Sequence, residues 1–228
     1  MTLEQINRHV VRCRRCPELR SYCAQIAQEK KLAFRDWKYW GKPVPSFGDP
    51  TAELMLVGLA PGAHGSNRTG RPFTGDGSGN FLYPALHRAG FANQPAANAR
   101  GDGLQLSNCM ITAAVRCAPP ANKPTPQQLR NCAPYLRAEF ESLDRLRVII
   151  ALGAVALRAV LQMLDHSKFE IEPHWPAFRH GAECVATRNG RSVTVITSFH
   201  PSRQNTNTGK LTVPMFDRIF ERAKVLLG

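Results

Sequence analysis

Apolar positions recur along this chain in two periods, and the period changes from stretch to stretch. Leu3, Ile6 and Val10 share one face of a helix over residues 2–12, and Thr2 with Gln5 three positions later forms a capping box at its start. Leu54-Met55-Leu56-Val57-Gly58 is a short continuous apolar run of the kind that makes a buried strand, followed by a Gly- and Pro-rich loop from Leu59 to Gly79. A helix is predicted over 81–89, a strand over 109–115, and a helix over 127–140 entered through Pro124-Thr125-Pro126. Val148 to Leu152 reads as a strand that passes at Gly153 into a helix reaching Leu164. Residues 183–188 and 192–196 flank Asn189-Gly190, the dipeptide of a two-residue hairpin turn, and an amphipathic helix over 213–227 closes the pattern. Trp37 to Pro45, aromatic, basic and broken by prolines, is expected as a loop packed on the body. Strands alternating with helices imply an α/β fold with a mainly parallel sheet covered on both faces.

Ligands of such sheets sit beyond the carboxyl ends of the strands. Two loops leave strands there. The first runs from Gly58 through Leu59, Ala60, Pro61, Gly62, His64, Asn67 and Arg68 to Phe73 and Asp76. Its glycines allow a ligand close to the backbone, and its length marks it as functional. It has no Gly-Lys-Ser/Thr closure and no dinucleotide fingerprint, so it is not a nucleotide-phosphate loop of either kind. The second runs from Ser198 to Lys210 and brings His200, Ser202, Arg203, Gln204 and Asn205. Hydroxyls, amides and cations in that mixture grip phosphates and base edges. His200 alone reads as a structural histidine; the facing Asp76 gives it weight as a catalytic one.

Charge sharpens the picture. The 228 residues hold 30 Lys and Arg against 17 Asp and Glu, a net +13, which draws a polyanion, most commonly nucleic acid. Arginine predominates over lysine, which favours phosphate contacts. No apolar run approaches the roughly 20 residues of a membrane span, and the N-terminus has no export-signal pattern. A soluble cytoplasmic protein, at the nucleoid of a prokaryotic cell, is the expectation.

Seven cysteines in such a protein argue against a disulfide scaffold. Cys13 and Cys16 form a C-x2-C pair; Cys117 and Cys132 form a looser one across fourteen residues. Four thiolates suit zinc or an iron–sulfur cluster, and the loose second pair leans towards iron–sulfur. Cys23 in the first helical stretch, Cys109 and Cys184 read as buried free thiols.

Taken together, these motifs resemble the family 5, type B, uracil-DNA glycosylases. Gly58-Leu59-Ala60-Pro61-Gly62 with Arg71-Pro72-Phe73-Thr74-Gly75-Asp76 is similar to that family's first motif, and His200 to Gly209 to its second. Arg116-Cys117-Ala118-Pro119-Pro120-Ala121-Asn122 is similar to its cluster-binding segment, and the stretch from Phe34 to Asp49 also matches. The resemblance implies a three-layer α/β/α sandwich in one domain over 1–228. It further implies a structural [4Fe–4S] cluster on Cys13, Cys16, Cys117 and Cys132, with an N-terminal cluster-binding region of about residues 1–50. It implies Asp76, His200 and Asn122 as catalytic residues, and Gly58, Leu59, Ala60, Pro61, Gly62, Phe73 and Ala113 around the base. It leaves His64, Asn67, Arg68, Ser202, Arg203, Gln204 and Asn205 to the DNA. Family 4 enzymes carry Glu where this chain has Leu59 and a uracil-reading Asn where it has Ala113, so a permissive pocket is implied.

The activity so implied is monofunctional excision of uracil, and of other deaminated bases such as hypoxanthine, from DNA by a monomer. A non-catalytic iron–sulfur or zinc DNA-binding protein would explain the charge and the cysteines, but not a carboxylate at Asp76 where phosphate would be repelled. A nucleotide hydrolase lacks its lysine and its cluster of acidic metal ligands.

Overall fold

A computed structural model describes residues 1–174 and 176–228. The chain opens with two helices, α1 (Leu3–Arg12) and α2 (Pro17–Glu29). The capping box of α1 is present: the Thr2 hydroxyl accepts from the Gln5 N–H, and the Gln5 side chain accepts from the Thr2 N–H at 2.9 Å. Next come β1 (Phe47–Gly48), β2 (Leu54–Gly58), α3 (Ser66–Thr69), α4 (Gly79–Ala89) and β3 (Cys109–Ala113). The second half supplies α5 (Pro126–Ser142), β4 (Val148–Leu152), α6 (Ala154–His166), β5 (Glu170–Glu172), β6 (Glu183–Arg188), β7 (Arg191–Ser198), α7 (Arg203–Asn207) and α8 (Val213–Leu227).

Among the described residues seven strands form one sheet in the order β1-β3-β2-β4-β7-β6-β5. The central four are parallel, and antiparallel strands flank them on both sides. Successive side chains of a strand point to opposite faces. Leu54 and Leu56 of β2, with Val148 and Ile150 of β4, therefore meet Leu82 and Leu86 of α4 and Phe216 and Phe220 of α8. Met55 and Val57, with Ile149 and Ala151, meet Leu136 and Phe140 of α5 and Leu157 and Leu161 of α6 on the other face. Both faces of the central strands are dry, which is why those strands read as unbroken apolar runs. Three layers result, as expected.

Several elements escape the hydrophobic pattern. β1 and β5, of two and three residues, are too short to show a period. α7 lies inside the second loop and holds only five residues. α2 is a full helix that the pattern leaves out, and Cys23 belongs to it rather than to the first helix. Proline at its first position starts it, since the missing N–H has no partner to lose there. Among the described residues no helix is long and apolar enough to cross a membrane.

The register brings the functional loops together. Gly58 at the end of β2 lies beside Ala113 at the end of β3, and Leu152 of β4 beside Ser198 of β7. The loops after Gly58, Ala113 and Ser198 therefore leave the sheet at the same edge.

Candidate active site

At that edge a cavity of about 1110 Å³ opens. Residues 58–66, 72, 73 and 75–78 of the first loop supply much of its wall. Ala113 and Asn122 come from the segment after β3, and His200, Ser202, Arg203 and Gln204 from the segment after β7. Nearly all the residues singled out from the sequence thus converge on one space.

Phe73 packs against the end of β2, where a Cβ on Gly58 would fall 2.8 Å from its ring. Its backbone adopts φ 50, a left-handed conformation that a bulky side chain rarely takes. The Ser66 hydroxyl accepts the Phe73 N–H at 3.0 Å and helps to hold it. The rings of Phe73 and His200 lie 5.7 Å apart, so an aromatic platform and an imidazole share one corner of the cavity. Burial pulls the His200 pKa down to about 4. The imidazole is therefore neutral at pH 7 and has one N–H to donate.

Asp76 is held from both sides. One carboxylate oxygen accepts the N–H groups of Ser78 and Gly79, each at 3.0 Å, at the start of α4. The other faces Gly65, where any Cβ would overlap the carboxylate. Burial raises the Asp76 pKa above the usual carboxylate range, opposed by those two N–H groups and by Arg68 and Arg203. The group is fixed in direction and made more basic, as suits a residue that takes a proton from water. Ala121 and Asn122 are left-handed, at φ 52 and 56, on the cavity rim. Strain of this kind gathers at sites whose geometry is over-determined by their surroundings.

Two residues expected on the DNA face have other placements. Asn67 is fully buried, and its side chain donates to the carbonyls of Cys23 and Ala63. It does not line the cavity; it ties the first loop to α2. Asn205 donates from its side chain to the His200 carbonyl at 2.8 Å and so sets the backbone of the second loop. Arg68 lines the cavity but is 97% buried, at 3% exposure, with Nε on the His64 carbonyl and Nη2 on the Gly75 carbonyl, both at 2.8 Å. Arg203 and Gln204 are exposed at the rim. His64 lines the cavity and meets the Tyr39 hydroxyl at 3.1 Å.

The sequence reading missed Gly65, whose lack of a side chain makes room for Asp76, and the wall formed by Lys31, Phe34 and Trp37. It quoted Arg71 in the first motif but missed its partner: Arg71 is buried and bidentate to Asp102 at 2.8 Å. Local pattern does not show these contacts, because each acts between positions well separated along the chain.

Behind the site, Cys13, Cys16, Cys117 and Cys132 line one small cavity with Arg20, Arg116 and Asn131. All four thiols are free. Asn131 points its side-chain N–H at the Cys16 sulfur at 3.3 Å, and the Arg116 N–H points at the Cys132 sulfur at 3.4 Å. Nη1 of Arg20 is buried without a partner, a cation facing a cavity of sulfurs. An all-thiol donor set with N–H donors and an unpaired arginine fits an anionic sulfur-ligated group. Among the described residues no three ligands come close enough together to hold a single metal ion. Cys23, Cys109 and Cys184 are buried, as expected.

The fold and this site define a class of proteins. Residues 45–224 match the model of the uracil DNA glycosylase superfamily. The chain is 50% identical to a type-5 uracil-DNA glycosylase of Thermus thermophilus, over 95% of this chain and 94% of the relative. It is 44% identical to a type-5 uracil-DNA glycosylase of Mycobacterium leprae, over 100% and 96%. A type-4 enzyme of Sulfurisphaera tokodaii is 26% identical over 97% of this chain and 85% of its own. The chain belongs to the uracil-DNA glycosylase superfamily and, within it, to the type-5 uracil-DNA glycosylases, enzymes that hydrolyse the N-glycosidic bond of uracil in DNA.

Two predictions arise from this geometry. Gly65→Ala displaces the Asp76 carboxylate and lowers single-turnover base release about 100-fold or more, the scale of a misplacement near 1 Å, while the DNA dissociation constant stays unchanged. Undiminished release would show that Asp76 tolerates displacement. The second concerns acid. The folded-state pKa of His200 is lowered, so the unfolded chain binds the extra proton first. Its contribution to stability is present above about pH 6.5 and is lost as pH falls towards 4. The loss amounts to roughly 3 kcal/mol at most, and His200→Gln should flatten that limb of a urea-denaturation series.

Proposed function

We propose that this chain is a monofunctional glycosylase that extrudes a deaminated nucleotide from DNA into the cavity and hydrolyses its N-glycosidic bond. The observation that carries this reading is the convergence, in one cavity, of a braced Asp76 with His200 beside Phe73. The target bond is hidden in the base stack, so the nucleotide must leave the duplex first. Phe73 stacks on the extruded base, and Gly58 to Gly62 and Ala113 surround its edge. His200 donates its N–H to the leaving base as it becomes an anion, a contact worth about 3–4 kcal/mol at a preorganised site. Asp76 orients water at the sugar carbon, takes its proton and offsets the positive charge on the sugar; Asn122 assists it. Among the residues lining the cavity the one lysine, Lys31, lies by the aromatic wall; with no lysine assigned to the sugar, hydrolysis without strand cleavage is the outcome.

Leu59 and Ala113 present no polar side chain to the base. That supports a pocket that admits hypoxanthine as well as uracil, because neither side chain rewards one pattern of carbonyls over another. The exposed cations of the second loop and the charge of +13 support DNA as the polyanion. We further propose that the protein acts as a monomer of one domain at the nucleoid. Residues 1–50 carry Cys13 and Cys16, half the ligands of a [4Fe–4S] cluster completed by Cys117 and Cys132. When bound, that group cross-links the N-terminal helices to the segment carrying Asn122, a structural role.

Release of base from duplexes carrying one uracil or one hypoxanthine, read by strand cleavage with and without alkali, tests the activity. Cleavage after alkali alone is expected with both bases. Asp76→Ala is expected to bind the same duplex normally and to lose base release by about 100-fold or more. Full release by that variant would remove Asp76 from the reaction. For the cofactor, purified protein should be brown and contain iron, and Cys117→Ala should lose colour and unfold at a lower temperature. A colourless variant as stable as the parent would count against a structural cluster.

A further inference from the structure

The cavity is larger than one extruded nucleotide needs. Pockets that bury a whole drug-sized ligand measure roughly 300–1,000 Å³, and this one measures about 1110 Å³. Phe73 and His200 furnish one part of its lining; Lys31, Phe34 and Trp37 furnish another that the reaction does not use. Trp37 is 36% exposed. It is not a loose surface residue. The Arg68 guanidinium lies 4.1 Å from its ring and 3.9 Å from that of Phe34, and the two rings meet edge to face at 6.2 Å. The Trp37 N–H donates to the Phe34 carbonyl at 3.0 Å, and Lys30 Nζ donates to the Arg35 carbonyl at 2.8 Å, which pins the backbone.

We propose that Trp37, braced by Arg68 and Phe34, is a stacking platform for the nucleobase next to the extruded one, with Lys31 binding the phosphate between them. The inference rests on the glycosylase reading above and adds a second nucleotide subsite to it. A flat, immobilised ring loses little further freedom when a base stacks on it, and every base offers a π-face, so the subsite takes any neighbouring base. Lys30, Lys31, Arg35 and Lys38 outnumber Asp36 around it, and Asp36 is already turned to Arg35 at 3.7 Å. Arg68 lines the same cavity and keeps Nη1 buried without a partner, a further donor beside the platform.

The test uses duplexes with 2-aminopurine on either side of a tetrahydrofuran abasic analogue, and uracil duplexes for kinetics. The fluorescence of one flanking 2-aminopurine should be quenched by the parent and by Trp37→Phe, and not by Trp37→Ala. In Trp37→Ala the KM for uracil DNA should rise about 5- to 150-fold with kcat unchanged, the range that stacking one base covers. Lys31→Gln should reduce the slope of log affinity against log salt by about 1. Equal quenching by the parent and Trp37→Ala would overturn the proposal, as would a fall in kcat with KM unchanged. Failure of the parent to release uracil would instead overturn the glycosylase reading itself.

Discussion

The burial of Arg68 is the constraint on which the site depends. A guanidinium taken out of water loses its hydrogen bonds to solvent, and here two of its donors hold carbonyls eleven residues apart along one loop, at His64 and Gly75. That fixes the loop's two ends against each other and so sets where Asp76 begins. The flat faces of the same group hold Phe34 and Trp37, which lie 34 and 31 residues earlier in the chain. Trp40 and Gly41 then close the arrangement by donating their N–H groups to the carbonyls of Arg68 and Asn67. A long glycine-rich loop, which on its own would be mobile, becomes a rigid wall.

Rigidity matters because the chemistry needs charge held in place before the reaction begins. Asp76 has no freedom to turn: α4 holds one oxygen and Gly65 closes on the other. Arg71 reinforces the far side of the loop. Burial raises the pKa of its partner Asp102, but the Arg71 guanidinium and three backbone N–H groups outweigh this and hold the carboxyl well below its usual range. The left-handed backbones of Phe73, Ala121 and Asn122 are the strain that such fixing entails, offset by the packed sheet beneath.

A second buried ionic group joins the site to the cysteine cavity. Arg116 lines both spaces, and its side chain is paired with Glu139 of α5, which also accepts from Thr112 at 2.7 Å. Its backbone N–H meets the Cys132 sulfur. The segment from Thr112 to Asn122 is thus tied twice to α5, through Glu139 and through the Cys132 thiol. Positioning of Asn122 and integrity of the cysteine cavity rest on the same residues.

The fold was legible because it depends on periods. The apolar runs of β2 and β4, the helical faces of α1 and α8, and the Asn189-Gly190 turn are local facts, and a strand buried on both faces has few other sequences open to it. The motifs around Gly58, Asp76 and His200 were legible for the same reason: they lie at the ends of those runs, where a parallel sheet delivers its loops. The sequence could not show that Asn67 turns inward to hold α2, or that Asn205 serves the backbone of His200, since an amide looks alike on a surface and in a brace. Nor could it show that a residue as small as Gly65 decides the direction of a carboxylate. Side-chain type determined which chemistry was available to this protein. Only the tertiary structure decided which donors were spent on holding the loops and which were left facing the cavity, because that depends on distances between segments far apart in the chain.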